Sequence, residues 1–315
     1  MDVGVQLEPQ FGFSFRDLVD ISRDAEATGF RAVWLSDHLF LNRDSVATDC
    51  LEAWTALAGL ATSTKTIRLG TMVTCQSYRN PALLAKIAAG VDRMSGGRLE
   101  FGIGAGWKEL EYRAYGYEFP PPGVRIDQLR ETLEICTRMW RDERATFHGA
   151  HYRVDEALCA PKPLQDPLPI WIGGRKPRLL RLTARWAHVF NYLPEGGFPT
   201  PQQMRDAMRE VDNVCRSLGR DPATLRRSVF LYILVAATEG EAMTIASEVA
   251  GRAKLTVEDW LAARPGIVMG TPERVLARLK EYGAAGAQDV NAMFPYRFER
   301  QMVKLLGEGV LPGLR

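Results

Sequence analysis

Five stretches of this chain read as short apolar β-runs that stop abruptly in small, polar or hydrogen-bonding residues. They are Ala32–Leu35 into Ser36-Asp37-His38, Ile67–Gly70 into Thr71-Met72-Val73-Thr74, Leu99–Ile103 into Gly104-Ala105-Gly106-Trp107, Pro169–Ile172 into Gly173-Gly174-Arg175, and Ala187–Phe190 into Asn191. In a parallel β/α architecture every strand C-terminus lies on one face, so five chemically equipped ends converge on one mouth. Such convergence marks an active site.

Three more runs complete the set: Val3–Leu7 opens the chain, and Ser228–Ala236 and Gln288–Phe294 make the seventh and eighth strands. Apolar residues at helical spacing predict eight helices: Phe15–Ala27 closed by Gly29, Leu51–Ala61, Leu83–Met94, Arg125–Trp140, Leu179–Arg185, Pro201–Leu218, Glu239–Val249, and Pro272–Tyr282 closed by Gly283. Asn80-Pro81 supplies a cap and a first-turn proline, and Thr271-Pro272 repeats the arrangement. Eight strands alternating with helices predict an α/β fold, a (β/α)8 TIM barrel in one domain over residues 1–315. The units are uneven. Long excursions after strand four (Trp107–Leu168, with a Pro120-Pro121-Pro122-Gly123 stop and a hairpin around Phe147–Tyr152) and before strand eight (Thr238–Gly270) are expected to roof a substrate pocket.

At 315 residues the chain is long enough for one large core, and its net charge of +2 argues for neither nucleic acid nor an anionic membrane as partner. The five cysteines are odd in number, widely spaced and form no C-x-x-C pair, which argues against a disulfide framework or a structural zinc site. A reducing cytoplasm is the expected compartment. No basic leader precedes the first strand and no apolar run approaches ~18 residues, so neither export nor a membrane span is expected. His148 and His151 lack carboxylate or thiolate neighbours at ligand spacing, and no metal site is expected there.

Within the strand ends, His38 is placed to exchange a proton with a ligand and Asp37 to accept a hydrogen bond; the alternative is that both cap the following turn. Thr71–Thr74 alone is an ordinary strand end. Gly102-Ile103-Gly104-Ala105-Gly106 has the spacing G-x-G-x-G and not G-x-G-x-x-G, so it is not a dinucleotide fingerprint; its glycines would let backbone pass close to a flat ligand. Gly173-Gly174-Arg175-Lys176-Pro177-Arg178 leads from strand five into a helix and sets cations at the positive end of the helix dipole. A bound phosphate would turn that cost into attraction; a solvated basic helix start is the alternative.

Taken together, "RLGTMVTCQSYRNPALLAK" (68–86), "SGGRLEFGIGAGWKELEYRAYG" (95–116), "PKPLQDPLPIWIGG" (161–174) and "GTPERVLARLKEYGAAG" (270–286), with Ser36-Asp37-His38, resemble the bacterial luciferase-like family across essentially the whole chain. The look is closest to the branch using coenzyme F420. The resemblance implies a cofactor cradle of Ser36, Asp37, His38, Thr71, Met72, Val73, Gly104, Ala105, Gly106, Trp107, Gly173, Gly174 and Arg175, with His38 and Asp37 as catalytic residues. It implies a cis peptide bond behind the ring, matched here by Met72–Val73, and a phosphate facing Gly173, Gly174 and Arg175. Relatives are commonly homodimers.

One departure is informative: sugar-phosphate dehydrogenases of the branch carry a proton-donating glutamate at the position of Trp107. Tryptophan cannot donate that proton and would form an aromatic wall. The resemblance therefore implies hydride transfer between F420 and a small organic substrate, with reduction of an activated C=C or C=N bond favoured over sugar-phosphate oxidation. An FMN-dependent monooxygenase and a non-catalytic cofactor-binding relative are the alternatives.

Overall fold

The computed structural model describes residues 1–315. Eight parallel strands close on themselves: β1 (Asp2–Leu7), β2 (Ala32–Leu35), β3 (Arg68–Thr71), β4 (Leu99–Gly104), β5 (Ile170–Gly173), β6 (Val189–Tyr192), β7 (Arg226–Val235) and β8 (Asp289–Met293). Each pairs with its sequence neighbours, and β8 returns to β1 with Val3 opposite Val290 and Val5 opposite Ala292. The expected α/β (β/α)8 fold is the observed one.

The barrel interior is filled because neighbouring strands alternate large with small residues. Trp34 on β2 lies in register with Gly70 on β3. A Cβ on Gly70 would stand 2.5 Å from the Trp34 ring, so only glycine leaves the indole its space. Trp171 of β5 meets Trp34 edge to face at 4.5 Å, and its Nε1–H donates to Glu100 at 2.6 Å. At the N-terminal end of the strands Glu100 also accepts from Arg31 at 2.8 Å, and Asp289 from Arg226 at 2.9 Å. The other face of each strand packs on the helices in one large apolar cluster.

Capping chemistry accounts for several helix starts. Ser14 and Asp17 form a reciprocal capping box on Phe15–Thr28, which ends on Gly29 in the left-handed region at φ 88°. Asn80 Oδ1 accepts from Ala82 N–H at 2.9 Å, as its position before Pro81 suggests. Thr271 does not repeat that bond.

Three expectations are corrected. Pro122 starts the long helix Pro122–Arg141 and is not a stop. Pro272–Ala284 runs through Gly283, and the chain turns at Gly286, φ 104°. Eight strands leave only seven intervals, so the eighth helical layer is Glu299–Gly309, which packs on Phe15–Thr28 and which the sequence reading left out. The excursion after β4 holds a short helix, Glu109–Ala114, and the expected hairpin, Ala145–His148 with Arg153–Ala157.

Candidate active site

Above and within the C-terminal half of the barrel a cavity of about 750 Å³ takes lining residues from all eight strands or the residues just after them, from Glu8 after β1 to Met293 on β8. Ser36, Asp37, His38, Met72, Val73, Gly104, Ala105, Gly106, Trp107, Gly173 and Gly174 all lie in its wall. Thr71 and Arg175 do not. Thr71 is buried behind the wall, its Oγ1 2.6 Å from Thr74 Oγ1 and donating to the Gly102 carbonyl at 2.9 Å. Arg175 turns outward, where its Nε–H donates to Glu210 on the helix Pro201–Ser217 at 2.6 Å.

The centre of the wall is a residue that the sequence reading passed over. Glu111, on the short helix Glu109–Ala114, is fully buried and gathers the site around its carboxylate. His38 Nδ1 lies 3.0 Å from Oε2, Tyr78 Oη–H donates to Oε2 at 2.8 Å, Leu39 N–H to Oε1 at 2.9 Å, and Lys108 Nζ to Oε1 at 3.1 Å. Burial alone would raise this carboxyl, but His38, Leu39 and Tyr78 overcome it and hold it down at about 2. Because Glu111 is ionised, Nδ1 of His38 carries the hydrogen, and Nε2 is left for the cavity. The readable signal was a carboxylate four positions after Trp107, on the first turn of a helix that follows a strand end.

Asp37 does something else. Arg79 donates to both of its oxygens, Nη1 to Oδ2 at 2.7 Å and Nη2 to Oδ1 at 2.8 Å, and Cys75 N–H donates to Oδ2 at 2.9 Å. Burial pushes the Asp37 carboxyl up and the Arg79 guanidinium opposes it. With its acceptors occupied, Asp37 ties the end of β2 to the segment after β3. These contacts give Asp37 a positioning part.

The Met72–Val73 peptide is cis, as the family resemblance implied. Both residues face the cavity. The glycines of β4 make room for this segment before any ligand: a Cβ on Gly102 would sit 1.9 Å from the Thr71 carbonyl oxygen, and one on Gly104 would sit 2.7 Å from Val73 Cγ2. Opposite them, Trp107 stands edge-on to His38 at 5.6 Å and 86° with 71% of its surface exposed. Cys75 also lines the wall, but burial pushes its thiol up to about 11, which rules out a thiolate nucleophile at neutral pH.

The roof differs from expectation. Residues 193–198, Leu193 to Phe198, line the cavity, whereas no residue of the Thr238–Gly270 excursion does. That excursion supports the roof from outside: Tyr282 Oη–H donates to the Pro199 carbonyl at 2.6 Å and shares the Gly266 carbonyl at 3.3 Å.

The family model for luciferase-like monooxygenases matches residues 1–289. The chain belongs to this family. Among curated relatives, an F420-dependent glucose-6-phosphate dehydrogenase of Intrasporangium calvum is 27% identical over 96% of this chain and 96% of its own. An F420-dependent hydroxymycolic acid dehydrogenase of Mycobacterium tuberculosis is 31% identical over 74% of this chain and 62% of its own. An F420-dependent secondary alcohol dehydrogenase, solved with an F420–acetone adduct, superposes with a TM-score of 0.82 at 21% identity, covering 100% of this chain and 99% of that one; at that identity the likeness supports the fold.

Proposed function

We propose that this luciferase-like chain is an oxidoreductase that binds coenzyme F420 at the C-terminal mouth of the barrel and exchanges hydride with a small organic substrate. The observation that carries the reading is the His38–Glu111 pair set in a cavity that is otherwise largely apolar. The F420 dependence of the relatives named above supports the choice of cofactor.

The residues present fit the group. Met72, Val73 and the Gly104–Trp107 stretch would hold the ring, which needs a flat apolar shelf. The phosphate needs N–H donors, and the helix Pro177–Trp186 begins at the cavity behind Gly173-Gly174 without a side-chain cap; Pro177 has no N–H and that of Leu180 bonds the Lys176 carbonyl, so the N–H groups of Arg178 and Leu179 are the ones left for an anion. When bound, F420 supplies the two-electron hydride carrier.

The chain's own part is the proton and the environment. In the reducing direction His38, as an imidazolium held by the Glu111 carboxylate, passes the Nε2 proton to the substrate atom that gains negative charge; in the oxidising direction the neutral ring takes it back. Trp107, Leu193 and Phe198 screen that transfer from water. With one acid–base group and an aromatic wall, the site suits an activated C=C or C=N bond. Trp107 in place of a carboxylic acid speaks against sugar-phosphate oxidation.

Titration with F420 and with FMN, each followed by turnover assays with and without oxygen, tests the reading. F420 is expected to bind at least tenfold more tightly, about 1.4 kcal/mol. Tighter FMN binding with oxygen-dependent turnover would make the protein a monooxygenase, and F420 binding without turnover of any hydride partner would make it a binding protein.

A further inference from the structure

We propose that the substrate half of this cavity rejects anions, so that the molecule exchanging hydride is uncharged or cationic and carries no phosphate or carboxylate. The inference rests on the reading of the cavity as an F420-dependent active site and adds the charge class of its second ligand.

Four carboxylates line the wall: Glu8, Asp37, Glu111 and Glu195. The only lysine or arginine among the lining residues is Lys108. An ammonium has three N–H donors, and those of Lys108 are taken by the carbonyls of Phe40 at 2.5 Å and Leu41 at 2.8 Å and by Glu111 at 3.1 Å. It has none left for a substrate anion.

Each cation around the mouth has a carboxylate partner, although only Arg79 among them is largely buried. Arg79 is held by Asp37 and Glu52, Arg175 by Glu210 at 2.6 Å, Lys176 by Glu195 at 3.2 Å, and Arg178 by Asp127. Asp37, Glu111 and Glu195 are each matched to a cation or to His38 by these contacts. Glu8 is different. Its oxygens accept from the neutral amides of Gln6 at 2.9 Å and Gln10 at 2.5 Å, and it makes no ion pair, so its charge acts on the cavity uncompensated. A second carboxylate or a phosphate brought into the same space meets that charge, while the positive groups that line it, Lys108 and an imidazolium at His38, are both already bonded to Glu111. The phosphate of the cofactor is spared this conflict because the amides of the Pro177–Trp186 helix start can meet it.

The test is a comparison of kcat/KM, with reduced F420, for cyclohex-2-enone and its ring-carboxylate analogue, run beside a direct F420 titration of the protein. The neutral enone is expected to be used at least tenfold more efficiently, and Glu8→Gln to narrow that ratio at least threefold by improving the carboxylate. Equal or better use of the carboxylate, turnover of glucose 6-phosphate, or a ratio unmoved in Glu8→Gln would overturn the inference. Absence of F420 binding in the parallel titration would instead overturn the cofactor reading, so the two failures are separable.

Discussion

Nδ1 of His38 lies 3.0 Å from Oε2 of Glu111, a contact that joins the end of β2 to a helix 73 residues further along the chain. It fixes the imidazole tautomer and turns the second ring nitrogen to the cavity. His38→Ala should lower turnover by about 10²–10⁴-fold while F420 still binds. Glu111→Gln should lower kcat with KM for the cofactor nearly unchanged, and it should also move the pH profile of kcat, which a purely structural residue would not do. Steady-state kinetics across pH on both variants decide between these parts.

Acid stability should depend on the same carboxylate. Glu111 falls from an ordinary value near 4.5 to about 2 in the folded chain, so its stabilisation is fully present above about pH 4.5 and disappears as pH falls toward 2. The contribution is on the order of 3 kcal/mol. Urea unfolding between pH 6 and pH 2.5 should show a shallower loss of stability in Glu111→Gln than in the parent protein.

Arg79 carries the buried end of the Asp37 contact. Arg79→Met leaves Asp37 buried without its guanidinium, and the expected cost is about 3–5 kcal/mol. The double variant Asp37→Asn/Arg79→Met should recover part of that loss in a thermal melt. If the single and double variants melt together, the pair does not hold β2 to the segment after β3.

Two glycines of β4 make separable predictions. Gly102→Ala drives a methyl to 1.9 Å from a backbone oxygen that cannot move aside, so it should destabilise the protein by about 1–3 kcal/mol or more. Gly104→Ala meets only the Val73 side chain at 2.7 Å. Its effect should fall on cofactor affinity, by about tenfold or 1.4 kcal/mol, read by fluorescence titration beside a melt.

The phosphate loop should act through its backbone. Gly174 sits at φ 105° with Leu179 Cδ1 at 2.8 Å from an added Cβ, so Gly174→Ala disturbs the helix start directly. Arg175 is half exposed and already paired, and Arg175→Ala should change F420 affinity by less than about 1 kcal/mol. A larger loss in Arg175→Ala than in Gly174→Ala would return the arginine to the phosphate.

Strand identity, most of the helices and the side of the barrel that carries chemistry were legible in the chain because each rests on local signals: apolar runs, caps such as Asn80, and polar residues directly after strand ends. His38, Trp107 and Gly173-Gly174 were reached by that route, and the cis Met72–Val73 bond by resemblance. The partners of these residues were not. Glu111 finds His38, Glu210 takes Arg175 and Arg79 occupies Asp37 through contacts between segments tens of residues apart. Hydrophobic periodicity carries no information about which carboxylate meets which cation once the barrel closes. That closure decided which ionisable groups face the cavity and which are spent on one another, because charge pairing depends on distance in space and not on spacing along the chain.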